Sequence, residues 1–359
     1  MMQNDNISET MPTPGWKRLL GPLVRYGLPL ALTVLLVLYM FRKVNFTDMW
    51  DLIKHGVDYW WILLAMGISI FSHIFRAARW RLQLNALGIK PPFMALCCSI
   101  FGCYALNLVF PRLGEVWRCT YIASSQKASF SSVLGSMIGD RLADTLMVLL
   151  LLLLCLVVAA PALEAFLVKY PVGRDLMALL YNPWFWVVAI ALCVVSWGLL
   201  RIFRDSKVVV KLKEMAFKMW EGFSVVARMK GRWQFLLLTL CIWGCYYFQL
   251  YVAFYAFPFT RELCHGDGMA WGLTPCLVAF VLSSISMAIP SNGGLGPWNL
   301  AIMFGLSIYG VSDAQGTAFS MLQWSGQTVM LIILGIYTMI YISMSRKANG
   351  GTEKGSFKL

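Results

Sequence analysis

The chain has 359 residues, of which 59% are hydrophobic and only 13% are charged, and its formal net charge is +13. Soluble domains carry about 25% charged residues, so the composition argues against a soluble enzyme or a soluble binding domain. The positive charge does not indicate nucleic-acid binding, because the basic residues lie in short segments between long apolar runs. At such positions they orient a membrane protein and meet anionic lipid head groups.

Eight apolar segments follow one another along the chain, and most approach the ~20 residues that a helix needs to cross a bilayer. They are residues 23–41, 59–75, 93–110, 133–160, 183–200, 233–257, 270–289 and 317–344. A ninth, 298–311, is too short to span comfortably.

Two segments outside these apolar runs are not predicted to cross the membrane. The basic stretch 205–230 carries apolar residues at helical spacing, which predicts an amphipathic helix on the membrane surface; a solvated linker helix is the alternative. Residues 348–359 are predicted to be a disordered tail.

The distribution of Lys and Arg predicts the topology. If all eight segments crossed from a cytoplasmic N-terminus, the basic stretch would lie outside, against the positive-inside rule. A hairpin over residues 93–121 that enters from the cytoplasm and returns puts twenty Lys/Arg in the cytoplasm and six outside. Both termini are then cytoplasmic, a second hairpin over 270–311 opens outward, and Arg76, Arg79 and Arg81 take head-group positions with His73 at the interface.

A repeat supports the two hairpins. Pro111 and Gly114 end one apolar run, and Pro290 and Gly296 end another; aligning the two glycines sets Arg141 opposite Gln323. We therefore predict an all-α integral membrane fold of about six full transmembrane helices plus two re-entrant or broken-helix hairpins. Its halves, residues 1–172 and 173–359, form an inverted repeat, which is a known transporter plan.

Six charged residues lie at membrane depth in the first turn and in the helix that follows it. They are Arg112, Glu115, Arg118, Asp140, Arg141 and Asp144. A charge inside a bilayer costs at least ~2.5–3.5 kcal/mol, so we predict one cluster near mid-membrane, facing the second turn. Two interpretations stay open: the charges pair with one another as a structural network, or the arginines bind an anionic group such as a lipid phosphate.

The second turn is uncharged, and its glycines can present successive backbone N–H groups to an anion. A turn that lets helices pack closely is the alternative. The candidate binding residues near the two turns are Asn107, Ser291, Gly293, Gly294, Gly296 and Asn299, while Pro111, Gly114 and Pro290 shape the turns. We expect no catalytic triad, metal site or cofactor, because the cysteines are scattered and the histidines isolated.

These residues carry a resemblance to a known family. The carrying motifs are Asn107 with the run Pro111-Arg112-Leu113-Gly114-Glu115-Val116-Trp117-Arg118, then Asp140-Arg141-Leu142-Ala143-Asp144, then Pro290 with Gly293-Gly294-Leu295-Gly296. In them the chain resembles the lysylphosphatidylglycerol synthase transmembrane-region family, the flippase-like membrane half of the multiple peptide resistance factors. The resemblance implies a lipid flippase-like protein of a bacterial cytoplasmic membrane. Asn299 stands where the family often carries Glu, and the family's aminoacyl-transferase domain is expected to be absent.

The sequence thus predicts a protein that binds and translocates a lipid or lipid-linked anionic molecule. Two other functions are open: a non-transporting partner of a separate lipid-modifying enzyme, and an intramembrane lipid-modifying transferase using Asp140 or Asp144.

Overall fold

The computed structural model describes residues 46–160, 229–265 and 270–349, with isolated positions between 31 and 38 and between 182 and 191. The predicted segments 23–41, 183–200 and 205–230 lie largely or wholly outside the described residues. Within these ranges the chain is helical apart from turns and contains no strand. The helices, numbered here in chain order, are α1 (Phe46–His55), α2 (Tyr59–Ala86), α3 (Phe93–Val109), α4 (Leu113–Ser125), α5 (Phe130–Val158), α6 (Arg232–Ala253), α7 (Pro258–Leu263), α8 (Leu273–Ser286), α9 (Pro297–Ser307) and α10 (Asp313–Asn349).

Four of these helices are long and apolar enough to cross a membrane: α2, α5, α6 and α10. Their outward surfaces are hydrocarbon, as on α5, where Leu150 and Leu153 are 61% and 60% exposed. Exposed apolar area of this extent marks a surface that meets lipid rather than water. The shorter apolar helices α3 and α8 have 17 and 14 residues.

Helices α2 and α6 run antiparallel through the centre of the bundle. Where α2 begins, Asp58 N–H donates to the carbonyl of Ala256 just after α6, at 2.9 Å. Where α2 ends, the Arg79 guanidinium donates to Thr239 on the first two turns of α6, at 3.1 Å. These contacts define two ends of the bundle: the first end, where α2 finishes and α6 starts, and the second end, where α2 starts and α6 finishes.

Two helical hairpins enter this bundle from different ends. The pair α3–α4 starts and finishes at the first end, since short loops join it there to α2 and to α5. The pair α8–α9 starts after α6 has reached the second end, and α9 finishes beside the start of α10. Helix α10 then runs back to the first end, where Thr338 donates to the carbonyl of Cys98 near the start of α3, at 3.2 Å.

Close contacts between backbones determine how the two helices of each hairpin pack. A side chain on Gly114 would overlap the carbonyl oxygen of Cys103, and one on Gly305 would lie 2.7 Å from the Cα of Ala279. Glycine is needed at both positions because the helices of each hairpin touch backbone to backbone. The polar Asn107 side chain fixes the first turn by accepting the Gly114 N–H at 2.9 Å.

Two helices extend beyond the predicted apolar segments. Helix α2 does not end with its apolar run at residue 75 but continues to Ala86, because the polar residues that follow are paired inside the bundle. Helix α10 extends to Asn349, so residues 348 and 349 of the predicted tail are helical; 350–359 lie outside the described residues.

Candidate functional site

The site is a network of ion pairs shared by α2, α4 and α5. Asp144 accepts from Arg76 and from Arg79, each at 2.8 Å. Asp140 lies 3.2 Å from Arg76, 2.6 Å from Arg79 and 3.7 Å from Arg118. Two aspartates one helical turn apart on α5 therefore face three arginines.

Glu115 and Arg141 extend this network at one edge. They form an ion pair, and Arg141 also lies 3.9 Å from Asp144. Their side chains are 23% and 37% exposed, whereas those of Arg76, Arg79, Arg118 and Asp140 are at most 3% exposed. The network is thus sealed on most sides and accessible at the pair Glu115–Arg141.

The arginines outnumber the carboxylates in this network. Four guanidinium groups meet three carboxylates, so the network has a net charge of +1 although each arginine contacts a carboxylate. In addition, the Nε atoms of Arg79, Arg118 and Arg141 have no hydrogen-bond acceptor among the described residues. A buried donor without an acceptor costs free energy, so the network is suited to accept an anion.

Aromatic and hydroxyl side chains surround the arginines. Tyr246 on α6 accepts from Arg76 at 3.1 Å, and the Arg118 guanidinium lies 4.7 Å from the ring centre of Trp80. Arginine is the cation best suited to such mixed surroundings, because its flat, weakly hydrated head pairs with carboxylates and stacks on rings at once.

The network lies at similar depth on α2 and α5. Arg76 precedes the end of α2 by ten residues, and Asp140 follows the start of α5 by ten. At 1.5 Å per residue both lie ~15 Å from the first end of the bundle. That is about half of the ~30 Å hydrocarbon thickness of a bilayer.

Five of the six members of the predicted cluster lie together, and the prediction is wrong for Arg112. That the cluster faces the second turn near mid-membrane stays a prediction. The exposed Arg112 lies in the turn itself and donates from Nη2 to the carbonyl of Ala288 at 3.2 Å. It therefore contacts the second hairpin instead of the network. Asn292 reinforces this contact by donating to the carbonyl of Val109 at 2.8 Å, so the two turns touch.

Two of the predicted head-group positions are also wrong. Arg76 and Arg79 are 2% and 0% exposed and form the centre of the network. His73, predicted at the interface, is buried between the rings of Phe101 and Tyr104, with centroids 6.3 and 4.7 Å away. Only Arg81 of this group is exposed as predicted.

A sequence signal for the missed residues exists on α2. Its buried polar side chains recur every three or four residues, which places them on one face of the helix. They are Ser69, Ser72, His73, Arg76, Arg79 and Gln83. Such a stripe marks a face turned toward protein, since exposed head-group residues need no helical register.

Two backbone N–H groups of the second turn find acceptors within the turn itself. Gly296 N–H donates to the Asn299 side chain and Leu295 N–H to the carbonyl of Asn292, both at 3.1 Å. Asn299 is fully buried, and the carbonyl of Gly293 accepts from the Trp324 indole at 2.9 Å. Gly294 is buried and Ser291 half-buried, while Pro290 is exposed and Pro111 is half-buried in the first turn. The binding role of this turn stays a prediction.

Comparison with known proteins places this architecture in a family. The sequence model described as the lysylphosphatidylglycerol synthase TM region matches residues 27–335. That range includes both turns, the whole ion-pair network, three of the four candidate membrane spans and most of the fourth. No curated protein and no solved structure matches the chain. Because the match covers most of its length, this multi-pass membrane protein belongs to the lysylphosphatidylglycerol synthase transmembrane-region family.

Proposed function

We propose that this chain binds a lipid or lipid-linked anionic molecule and translocates it across a bacterial cytoplasmic membrane. The observation that carries the proposal is the buried network of four arginines and three carboxylates, with its unbalanced positive charge ~15 Å from the first end. A buried ion-pair network with a purely structural role stabilises the fold most when its positive and negative charges balance. An excess arginine is expected where an anionic head group completes the set.

The lipid head group is proposed to bind at the accessible edge of the network, at Glu115 and Arg141. Arg141 already shares Glu115 and Asp144, so an incoming phosphate competes with carboxylates for a guanidinium that is held in position. This arrangement favours reversible binding, which a transporter needs because a substrate held too firmly is not released. The aspartates are occupied by arginines, and the proposal assigns them no catalytic step.

The proposed architecture is six transmembrane helices and two re-entrant hairpins in an inverted repeat, with both termini in the cytoplasm. The opposite entry of α3–α4 and α8–α9, with the contact between Arg112 and Ala288 where their turns meet, supports this arrangement. Broken helices that meet within the membrane are a recurrent way to build a substrate site between two repeats. The polar face of α2 adds hydrogen-bonding side chains toward the second end, where Ser69 donates to Gln327 at 3.1 Å.

The test is lipid translocation by the purified full chain in proteoliposomes, with a fluorescent anionic lipid and a membrane-impermeant quencher. We expect Arg141→Gln to lower the translocation rate about tenfold or more, because a charged hydrogen bond to the head group contributes about 1.5–3 kcal/mol. Arg81→Gln, an exposed arginine on α2, is the matched control and should leave the rate unchanged.

Both variants are compared at equal amounts of inserted, monodisperse protein. If the parent chain moves no anionic lipid above protein-free vesicles, translocation is wrong and a role as a non-transporting partner of a lipid-modifying enzyme takes its place. If Arg141→Gln folds normally and transports as fast as the parent, the binding role of the network is wrong.

A further inference from the structure

An apolar cavity of about 470 Å³ lies between α5, α8 and α9, away from the ion-pair network. Its walls are hydrocarbon and thiol side chains, including Leu156 on α5, Ala159 directly after it, Leu282 on α8, and Ala301 and Phe304 on α9. A polar ligand would lose its hydrogen bonds to water in such a cavity without replacement. The volume is within the 300–1,000 Å³ typical of small-molecule sites, so the chemistry of the walls calls for a hydrocarbon ligand.

The cavity is as long as one leaflet of the bilayer is thick. On α9 its lining runs from Pro297, beside the second turn, to Ile308, near the second end. Eleven residues of helix rise ~16 Å, and half of a ~30 Å hydrocarbon core is ~15 Å. The shape therefore fits a single extended acyl chain that starts at mid-membrane.

A positive charge stands at the inner end of this cavity. Arg112 bonds to the carbonyl of Ala288, and the next residue, Ile289, lines the cavity. Among the described residues no carboxylate pairs with Arg112, in contrast to the four arginines of the network. Its backbone is left-handed, with φ of 63°. A non-glycine residue pays free energy for that conformation, and such strain concentrates at ligand sites.

We propose that this cavity takes one acyl chain of an anionic phospholipid whose phosphate is held by Arg112. This site is separate from the Glu115–Arg141 edge, where the proposed function places a head group, so the two sites hold the lipid at different stages. The inference rests on the proposed function in one respect, that this lipid is the transported molecule. Its head group lies at mid-membrane and its chain points to the second end. A lipid in the leaflet at the first end has the same orientation, with its acyl chain pointing toward the second end. It reaches this position when it is displaced toward the second end by the thickness of one leaflet. Loading therefore occurs from the leaflet at the first end.

The experiment is photolabelling of the full chain in proteoliposomes. One set of vesicles contains phosphatidylglycerol with a diazirine at the end of one acyl chain, and the other contains phosphatidylcholine with the same chain. After irradiation and proteolysis, mass spectrometry locates the labelled residues. We expect labels on α9 and on the last two turns of α5, about fivefold more from phosphatidylglycerol, since one arginine contributes about 1 kcal/mol to anionic lipid binding.

Substitutions at three positions make the result specific. Ala301→Phe fills the cavity and should remove the labels, and Ala301→Leu serves the same purpose if the larger side chain prevents folding. Leu153→Phe, 60% exposed on α5 and outside the cavity lining, is the matched control and should retain them. Arg112→Gln should abolish the preference for phosphatidylglycerol and leave labelling by phosphatidylcholine unchanged.

Unchanged labelling in folded Ala301→Leu or Ala301→Phe would overturn the acyl site, as would an unchanged lipid preference in Arg112→Gln. The translocation assay in the same vesicles separates the two proposals. Cavity labelling without translocation supports the acyl site and contradicts transport. Translocation without cavity labelling overturns the acyl site and leaves transport standing.

Discussion

Arg79 and Arg81 lie two residues apart on α2, and the structure gives them opposite roles. Arg79 is fully buried; it pairs with Asp140 at 2.6 Å and Asp144 at 2.8 Å, and donates to Thr239 at 3.1 Å. Arg81 is exposed, with its guanidinium 5.8 Å from the ring centre of Phe93. The same substitution at the two positions therefore separates a network residue from a surface residue.

We expect Arg79→Gln to lower the free energy of unfolding by about 3–5 kcal/mol, the cost of breaking a buried pair and leaving its partners underpaired. Arg81→Gln should cost about 0.5–1 kcal/mol, the contribution of an exposed cation–aromatic contact. The difference is a factor of at least about thirty in the unfolding equilibrium. Reversible unfolding in mixed micelles with increasing SDS fraction measures both values, with tryptophan fluorescence as the signal.

A double-mutant cycle assigns the loss to the ion pair. Arg79→Gln combined with Asp144→Asn should show a coupling free energy of about 0.5–3 kcal/mol. If Arg79→Gln unfolds at the same SDS fraction as Arg81→Gln, the network does not stabilise the fold. If the two substitutions are additive, Arg79 acts through some contact other than Asp144.

Two further outcomes follow from the hairpins and the topology. Gly114→Ala should lower the free energy of unfolding by about 1–3 kcal/mol because the added methyl overlaps the Cys103 carbonyl. Gly67→Ala is the control, since its added methyl meets nothing within 4 Å. Equal losses of unfolding free energy in the same SDS titration would contradict the tight packing of α3 on α4. Single cysteines at Lys127 and within 205–230 should react with an impermeant maleimide from the same side of the membrane, and a cysteine at Arg261 from the other; labelling of the first two from opposite sides would contradict the topology.

The sequence determined the class of this protein and the residues that interrupt its helices. The long apolar runs allow no other solvent than lipid, so a helical membrane fold followed from composition alone. The turns at Pro111–Gly114 and Pro290–Gly296 were predictable because proline and glycine mark breaks in any helix. Five charged network members were found for a simple reason: charge within an apolar run is too costly to lack a partner.

Only the tertiary structure decided which partners those charges have. Arg76 and Arg79 follow an apolar run, as head-group residues do, and hydropathy cannot tell a helix that ends there from one that continues inside protein. Packing of α2 against α5 and α6 brings Asp140, Asp144 and Thr239 to them. Arg112 lies beside the same charges in sequence, yet its left-handed backbone turns it to the second hairpin. The excess charge of the network and the acyl-sized cavity depend on which helices meet in space, and spacing along the chain does not encode that.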